Sequence, residues 1–236
     1  QRPTPRRRAL LVGLALLLLA PLAACGSDAS DGASDADAGG ESAEASGGEE
    51  TTEPAADAYP VTIEHRYGET EITEAPERIV AVGLTDQDAL IALGAPPVAT
   101  VDWFGDYDGN IWPWAQDELE ALGVDPADIT RIPADDGIAA EQIAAQQPDL
   151  IVALYSGLTQ EQYDGLSKIA PTVAFPETPW TTPWREMITL NAAGMGMAAE
   201  GEALVAELEG TIKKAADANP VLAETSVMFL THVDVS

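Results

Sequence analysis

The chain has 236 residues, with 40 acidic against 11 basic side chains and a formal net charge of -29. So acidic a chain has little basic surface with which to neutralise phosphates, which excludes nucleic acid as a partner. Its one cysteine, Cys25, leaves no internal disulfide. From Tyr59 onward the length accommodates one full domain and the start of another. Gln1 at the start, and Thr231 to Ser236 at the end reading as a strand cut in mid-element, suggest a piece of a longer protein.

Arg6, Arg7 and Arg8 form a positive segment ahead of the apolar run Ala9 to Ala20. That run is too short for a comfortable membrane span and reads as the core of a signal peptide over residues 1–24. Leu22-Ala23-Ala24-Cys25 puts small residues before a cysteine and resembles the lipobox of bacterial lipoproteins. An ordinary signal peptide with a chance cysteine is the alternative. The resemblance implies that Cys25 becomes the mature N-terminus and carries acyl chains, which supply membrane affinity. Gly26 to Ala58 is rich in Gly, Ser, Ala, Asp and Glu and holds no Lys or Arg. Residues 25–58 are therefore predicted to be a flexible, self-repelling tether. No second apolar run is long enough to span a membrane.

Val61, Ile63 and His65 alternate with polar residues, Tyr67-Gly68-Glu69 turns, and Thr70 to Ile72 returns, which predicts a β-hairpin. Arg78 to Val82 is a buried strand ended by Gly83. Thr85 to Leu93 is a helix in which Thr85 and Asp88 have capping-box spacing, stopped by Gly94. Strands are predicted at Pro97 to Val101, Ile129 to Ile132, Asp149 to Leu154 and Thr172 to Ala174. Helices are predicted at Trp114 to Leu122, Ala139 to Gln146 and Thr159 to Ile169, the last with Thr159 and Gln162 as a capping box. Strands alternating with helices imply an α/β fold around a mostly parallel sheet. Trp184 to Ala193 and Ala198 to Ala218 are then both helical. Leu204, Leu208 and Ile212 give the second an apolar stripe, and Pro220 ends it. Val227 to Leu230 is predicted to open a new buried strand.

Tyr59 to His65 with Gly68, then Pro76 to Val80, then Ala92 to Val98 resemble the opening of periplasmic-binding-protein domains of the iron-siderophore and vitamin B12 group. Glu141 to Ala145 followed by Gln147-Pro148-Asp149-Leu150-Ile151 is similar to that group's E-x-I-x-x-x-x-P-D-L-I/V segment. The Trp103 to Tyr107 and Trp112 to Trp114 segments look like members assigned to ferric siderophores. The resemblance implies two α/β lobes joined by a long helix, with ligand between them. Residues 59–183 would be the N-terminal lobe and 184–219 the helical connector. Residues 220–236 would begin a C-terminal lobe mostly absent from this chain. It implies no enzyme but the solute-binding component of an ABC importer, a monomer working with permease and ATPase subunits. It also implies that Glu141 docks into an arginine pocket of the permease; a carboxylate in a helix's first turn is also favoured by the helix dipole.

In an open α/β sheet, ligands bind beyond the carboxyl ends of the strands. That selects Leu84 to Asp86, Asp102 to Trp114, Ala134 to Ile138, Tyr155 to Leu158 and Phe175 to Thr182. The candidate ligand-binding residues are Thr85, Asp86, Trp103, Phe104, Tyr107, Trp112, Tyr155, Ser156 and Trp180. Rigid aromatic walls suit a bulky, semi-polar chelate, although Trp112 and Trp114 serve equally well as packing. None of these loops contains Lys or Arg. An anionic ferric catecholate would need basic partners; a neutral or cationic ferric hydroxamate would not. A hydroxamate-type ferric siderophore is therefore the expected ligand, unless the absent lobe supplies arginines. A cobalamin- or haem-binding protein of the same fold, or a purely structural lipoprotein, are the other readings. No resident cofactor or metal is expected: His65 and His232 stand apart from any ligand-spaced cluster, and Asp102, Asp106 and Asp108 lack an EF-hand pattern. The sequence has no G-x-S-x-G elbow, P-loop or catalytic Cys/His pair.

Overall fold

The computed structural model describes residues 58–103, 107–134 and 137–228. The chain divides into Gln1–Gly48 and Glu49–Ser236, and every described residue belongs to the second unit. The signal peptide, most of the tether, Cys25, Phe104 and His232 lie outside the described residues.

Alternation of apolar and polar side chains sets the first element. Strands β1 (Val61–His65) and β2 (Gly68–Ile72) pair antiparallel, with His65 opposite Gly68. Ile63 and Ile72 point inward, and the hairpin is tied to the main sheet where Arg66 N–H donates to Phe175 O at 3.0 Å. His65 is buried, shares a 2.9 Å hydrogen bond with Thr70 Oγ1 and accepts one from Tyr67 N–H. Burial lowers its pKa, in keeping with a packing histidine.

Five short strands then form a parallel sheet in the order β5-β4-β3-β6-β7. They are β3 (Ile79–Ala81), β4 (Ala99–Asp102), β5 (Thr130–Pro133), β6 (Leu150–Ala153) and β7 (Thr172–Ala174). The central strands are apolar on both faces because both faces are covered. Side chains alternate between two cores. Ile79, Ala81, Leu150, Val152 and Leu154 pack with Leu90 and Ala192 on one side. Val80, Val82, Ile151 and Ala153 pack with Ile143, Leu166 and Phe175 on the other. Each fully buried Leu or Ile contributes on the order of 2 kcal/mol of transfer free energy.

Helices α1 (Asp86–Ala92) and α5 (Trp184–Gly194) cover the first face, while α3 (Ala140–Ala145) and α4 (Gln160–Leu166) cover the second. Helix α2 (Pro113–Ala121) packs Ala115 and Leu119 against Ile91 of α1, with Ile111 and Ile129. Helix α4 has the expected capping box: Gln162 N–H donates to Thr159 Oγ1, and Thr159 N–H to Gln162 Oε1. The equivalent expectation at α1 fails. Thr85 makes no side-chain cap; its hydroxyl turns instead to Met187 Sδ at 3.6 Å.

The predicted connector divides in two. Helix α5 is built into the lobe, burying Ile188, Asn191 and Ala192. Helix α6 (Ala198–Ala218), about 30 Å long, packs its first half along α5, where Glu209 pairs with Arg185, and only its far half extends beyond. Gly201 is its buried residue and Leu204 is partly covered, while Leu208 and Ile212 are 38% and 57% exposed, so the predicted stripe opens progressively toward the helix's end. Val227 and Met228, predicted to begin a strand, are exposed and in no strand; residues 229 and 230 lie outside the described residues.

Candidate functional site

The chain runs from β3 outward through β4 to β5, then crosses to β6 and β7 on the other side. The order therefore reverses between β3 and β6, and the crevice beyond their carboxyl ends is where such a sheet binds ligands. Asp86 fills that crevice. Its carboxylate accepts hydrogen bonds from Leu154 N–H at 2.8 Å and Tyr155 N–H at 3.1 Å. The side chain is fully buried, so the expectation that Asp86 contacts ligand is corrected: backbone donors from the opposite loop surround it. Burial pushes its pKa up to about 6, against the pull of the Tyr155, Leu154 and Gly83 amides, and the nearby Asp88 charge adds to the rise.

Ser156 is corrected likewise. It has no exposed surface; its hydroxyl donates to Ala153 O at 2.7 Å and accepts from Leu158 N–H at 3.4 Å, shaping the loop after β6.

The aromatic candidates separate into two groups. Trp103, Tyr155 and Trp180 form a shelf around the crevice. Trp180 meets Trp103 edge-on at 5.5 Å and Tyr155 edge-on at 5.9 Å between ring centroids. The Trp103 indole N–H donates to Val82 O at 2.8 Å, which pins it to the end of β3. Trp180 N–H donates to Ser156 O at 3.1 Å, and Trp180 itself has the left-handed φ of 60°. A bulky residue in that region carries strain of order 1 kcal/mol or more. Gly157 makes this possible, since a Cβ there would lie 2.5 Å from Trp180 Nε1. Trp180 remains 40% exposed, with its ring at the surface.

Tyr107, Trp112 and Trp114 form the second group. Trp112 stacks on Trp114 at 5.1 Å and 12°, and Tyr107 tilts against Trp112 at 5.2 Å. Among the described residues no ring contact joins the groups. Trp114 is 66% exposed and donates its indole N–H to Asp88 Oδ2 at 2.9 Å. Burial raises the Asp88 pKa, partly offset by that bond. With Thr85, Met187 and Leu204, Trp114 lines a groove of about 730 Å³ between α1, α2, α5 and α6. Thr85 and Trp114 thus face this groove, a placement that loop position alone did not reveal.

Charge at the carboxyl edge also differs from expectation. The loops hold no Lys or Arg, but strand β5 supplies Arg131, which forms an ion pair with Asp102 at the end of β4. Reading loops alone missed it because its side chain reaches the edge from within a strand. Glu141, the expected permease contact, is exposed in the first turn of α3. Among the described residues no cluster of His, Cys, Asp or Glu suits a metal ion, and no helix is long and apolar enough to cross a membrane.

Residues 79–234 match the family described as Periplasmic binding protein. The chain belongs to that family. A probable siderophore-binding lipoprotein of Bacillus subtilis, YfiY, is 32% identical over 151 residues, 63% of this chain and 42% of its own length. The iron(3+)-hydroxamate-binding protein YxeB of the same organism is 30% identical over 171 residues, 72% of this chain and 42% of its own. Among solved structures, PiaA of Streptococcus pneumoniae in complex with ferrichrome is 34% identical with a TM-score of 0.60, over 68% of this chain and 52% of that one. This periplasmic binding protein therefore spans about half the length, or less, of the relatives it matches. Its sheet and site loops fall inside the matched region, apart from the β1–β2 hairpin.

Proposed function

We propose that the protein is the extracytoplasmic solute-binding component of an ABC importer, capturing a ferric siderophore of hydroxamate type and delivering it to the membrane permease. The observation that carries this reading is the aromatic shelf of Trp103, Tyr155 and Trp180 at the switch point of the sheet. Rigid rings offer contact area and orientation to a bulky chelate at little entropic cost. The same fold in PiaA is recorded with ferrichrome, and YxeB is named for a ferric hydroxamate. The guanidinium at this edge is already neutralised by Asp102, which favours a neutral or cationic guest over a polyanionic catecholate.

Cys25 is the proposed lipidation site, following the arginines and the apolar run, and residues 25–58 the tether that holds the lobe off the membrane. Glu141 is the proposed docking carboxylate for the permease.

Tryptophan quenching tests the reading directly. The full-length protein is titrated with ferrichrome, ferrioxamine, a ferric catecholate, haem and cobalamin, and its Tm is followed in parallel. Quenching and a raised Tm with the hydroxamates are expected. A response to cobalamin or haem alone reassigns the ligand, and no response to any chelate removes the transport reading.

A further inference from the structure

We propose that Asp86 is a positioning residue for the ligand shelf: its buried carboxylate clamps the loop after β3 to the loop after β6 and so fixes the spacing of Trp103, Tyr155 and Trp180. This inference rests on the shelf being the ligand site.

The connections run in both directions from one side chain. On the β3 side, Val82 O accepts the Trp103 indole, and Leu84 N–H donates to Tyr155 O at 2.9 Å. On the β6 side, Leu154 and Tyr155 donate their amides to Asp86, and the next residue, Ser156, accepts Trp180 N–H. Thr182, closing the Trp180 loop, donates its hydroxyl to Leu154 O. Tyr155 is thus held by Asp86 directly, Trp180 through Ser156 next to Tyr155, and Trp103 through Val82, the neighbour of the Gly83 amide that also hydrogen-bonds Asp86. The carboxylate also lies so close to Gly83 that a Cβ there would overlap it. An ionised carboxylate buried this deeply is costly unless hydrogen bonds offset it, and here the Leu154, Tyr155 and Gly83 amides supply them. What the anion provides is two acceptor oxygens for two convergent N–H donors, which a neutral side chain of the same size does not reproduce.

The titratable groups on elements packed around Asp86 are few. Asp88 lies on its own helix and raises its pKa; Tyr155 stands on the facing loop. Glu118 of α2 and Arg185 and Glu186 of α5 are exposed, and Arg185 is paired with Glu209. Protonation of Asp86 removes acceptor capacity from the clamp, so the shelf loosens as pH falls through about 6.

The test measures the Kd of ferrichrome, a neutral chelate, by tryptophan quenching in the full-length protein between pH 5 and pH 8. The wild type should bind more weakly as pH falls through this window. Asp86→Asn should bind about tenfold more weakly at pH 7.5 and show a flat pH profile, since its amide sets N–H against N–H. Gly83→Ala, which displaces the carboxylate without removing it, should weaken binding similarly, and the double variant should be no worse than either single one. A folded Asp86→Asn variant with the wild-type Kd and pH profile overturns the proposal. If that variant does not fold, a wild-type Kd that is constant from pH 5 to pH 8 overturns it instead. Should the wild type bind none of the ligands, the transport reading falls separately. The clamp is then judged by ligand-free tryptophan emission: a red shift in Gly83→Ala supports it, and unchanged emission overturns it.

Discussion

Trp180 concentrates three unusual features: a left-handed backbone, a 40% exposed indole, and a glycine beneath it that no other residue can replace without collision. Gly157→Ala should therefore displace the indole, costing about 1–3 kcal/mol of stability in denaturant melts and weakening ligand quenching at the same time. At Asp86 the sign of the pH effect on stability follows from the direction of its shift. The folded pKa of about 6 lies above the ordinary 3.8, so the folded state binds protons more tightly than the unfolded chain. Its contribution to stability is fully present below about 4 and is lost as pH rises through 6. The unfolding free energy from urea melts should rise between pH 7.5 and pH 4.5 by about 2 kcal/mol, and Asp86→Asn should remove most of that rise. The same protonation that stabilises the fold should loosen the shelf, a conflict typical of a residue kept for its site rather than for the core.

Among elements, the two predicted capping boxes separate geometry from spacing. Thr159 and Gln162 make both reciprocal bonds, whereas Thr85 makes none because its side chain faces Met187 across the groove. Thr159→Ala should cost about 1 kcal/mol by chemical denaturation, while Thr85→Ala should stay within about 0.5 kcal/mol. Sequence spacing served well for most elements: the hairpin, all five strands of the parallel sheet and the helices around it occur where period and turn residues place them, within a few residues. It failed where tertiary contact decides. Helix α5 has the same local signature as α6, yet α5 is built into the core while α6 packs on it only along its first half.

Across the whole molecule, the net charge of -29 sets a field that no single contact expresses. Such a surface should speed the arrival of a cationic guest and be screened by salt. The association rate of cationic ferrioxamine should therefore fall as salt rises from about 20 to about 500 mM, where the Debye length shrinks from roughly 20 Å to roughly 4 Å, while that of neutral ferrichrome should change little. Equal salt dependence for both would remove the field from the account.

Composition, hydrophobic period and turn residues determined the α/β class and the order of strands and helices, since each depends on residues near one another in sequence. The tertiary structure alone decided which of those residues face outward. Two carboxylates two residues apart, Asp86 and Asp88, look alike in the chain; one is sealed in the crevice between β3 and β6, and the other supports Trp114. The distinction comes from the crossover that brings Leu154 and Tyr155, nearly seventy residues away, against the start of α1. Burial and hydrogen-bond supply at one atom are sums over such distant neighbours, and no local pattern encodes them.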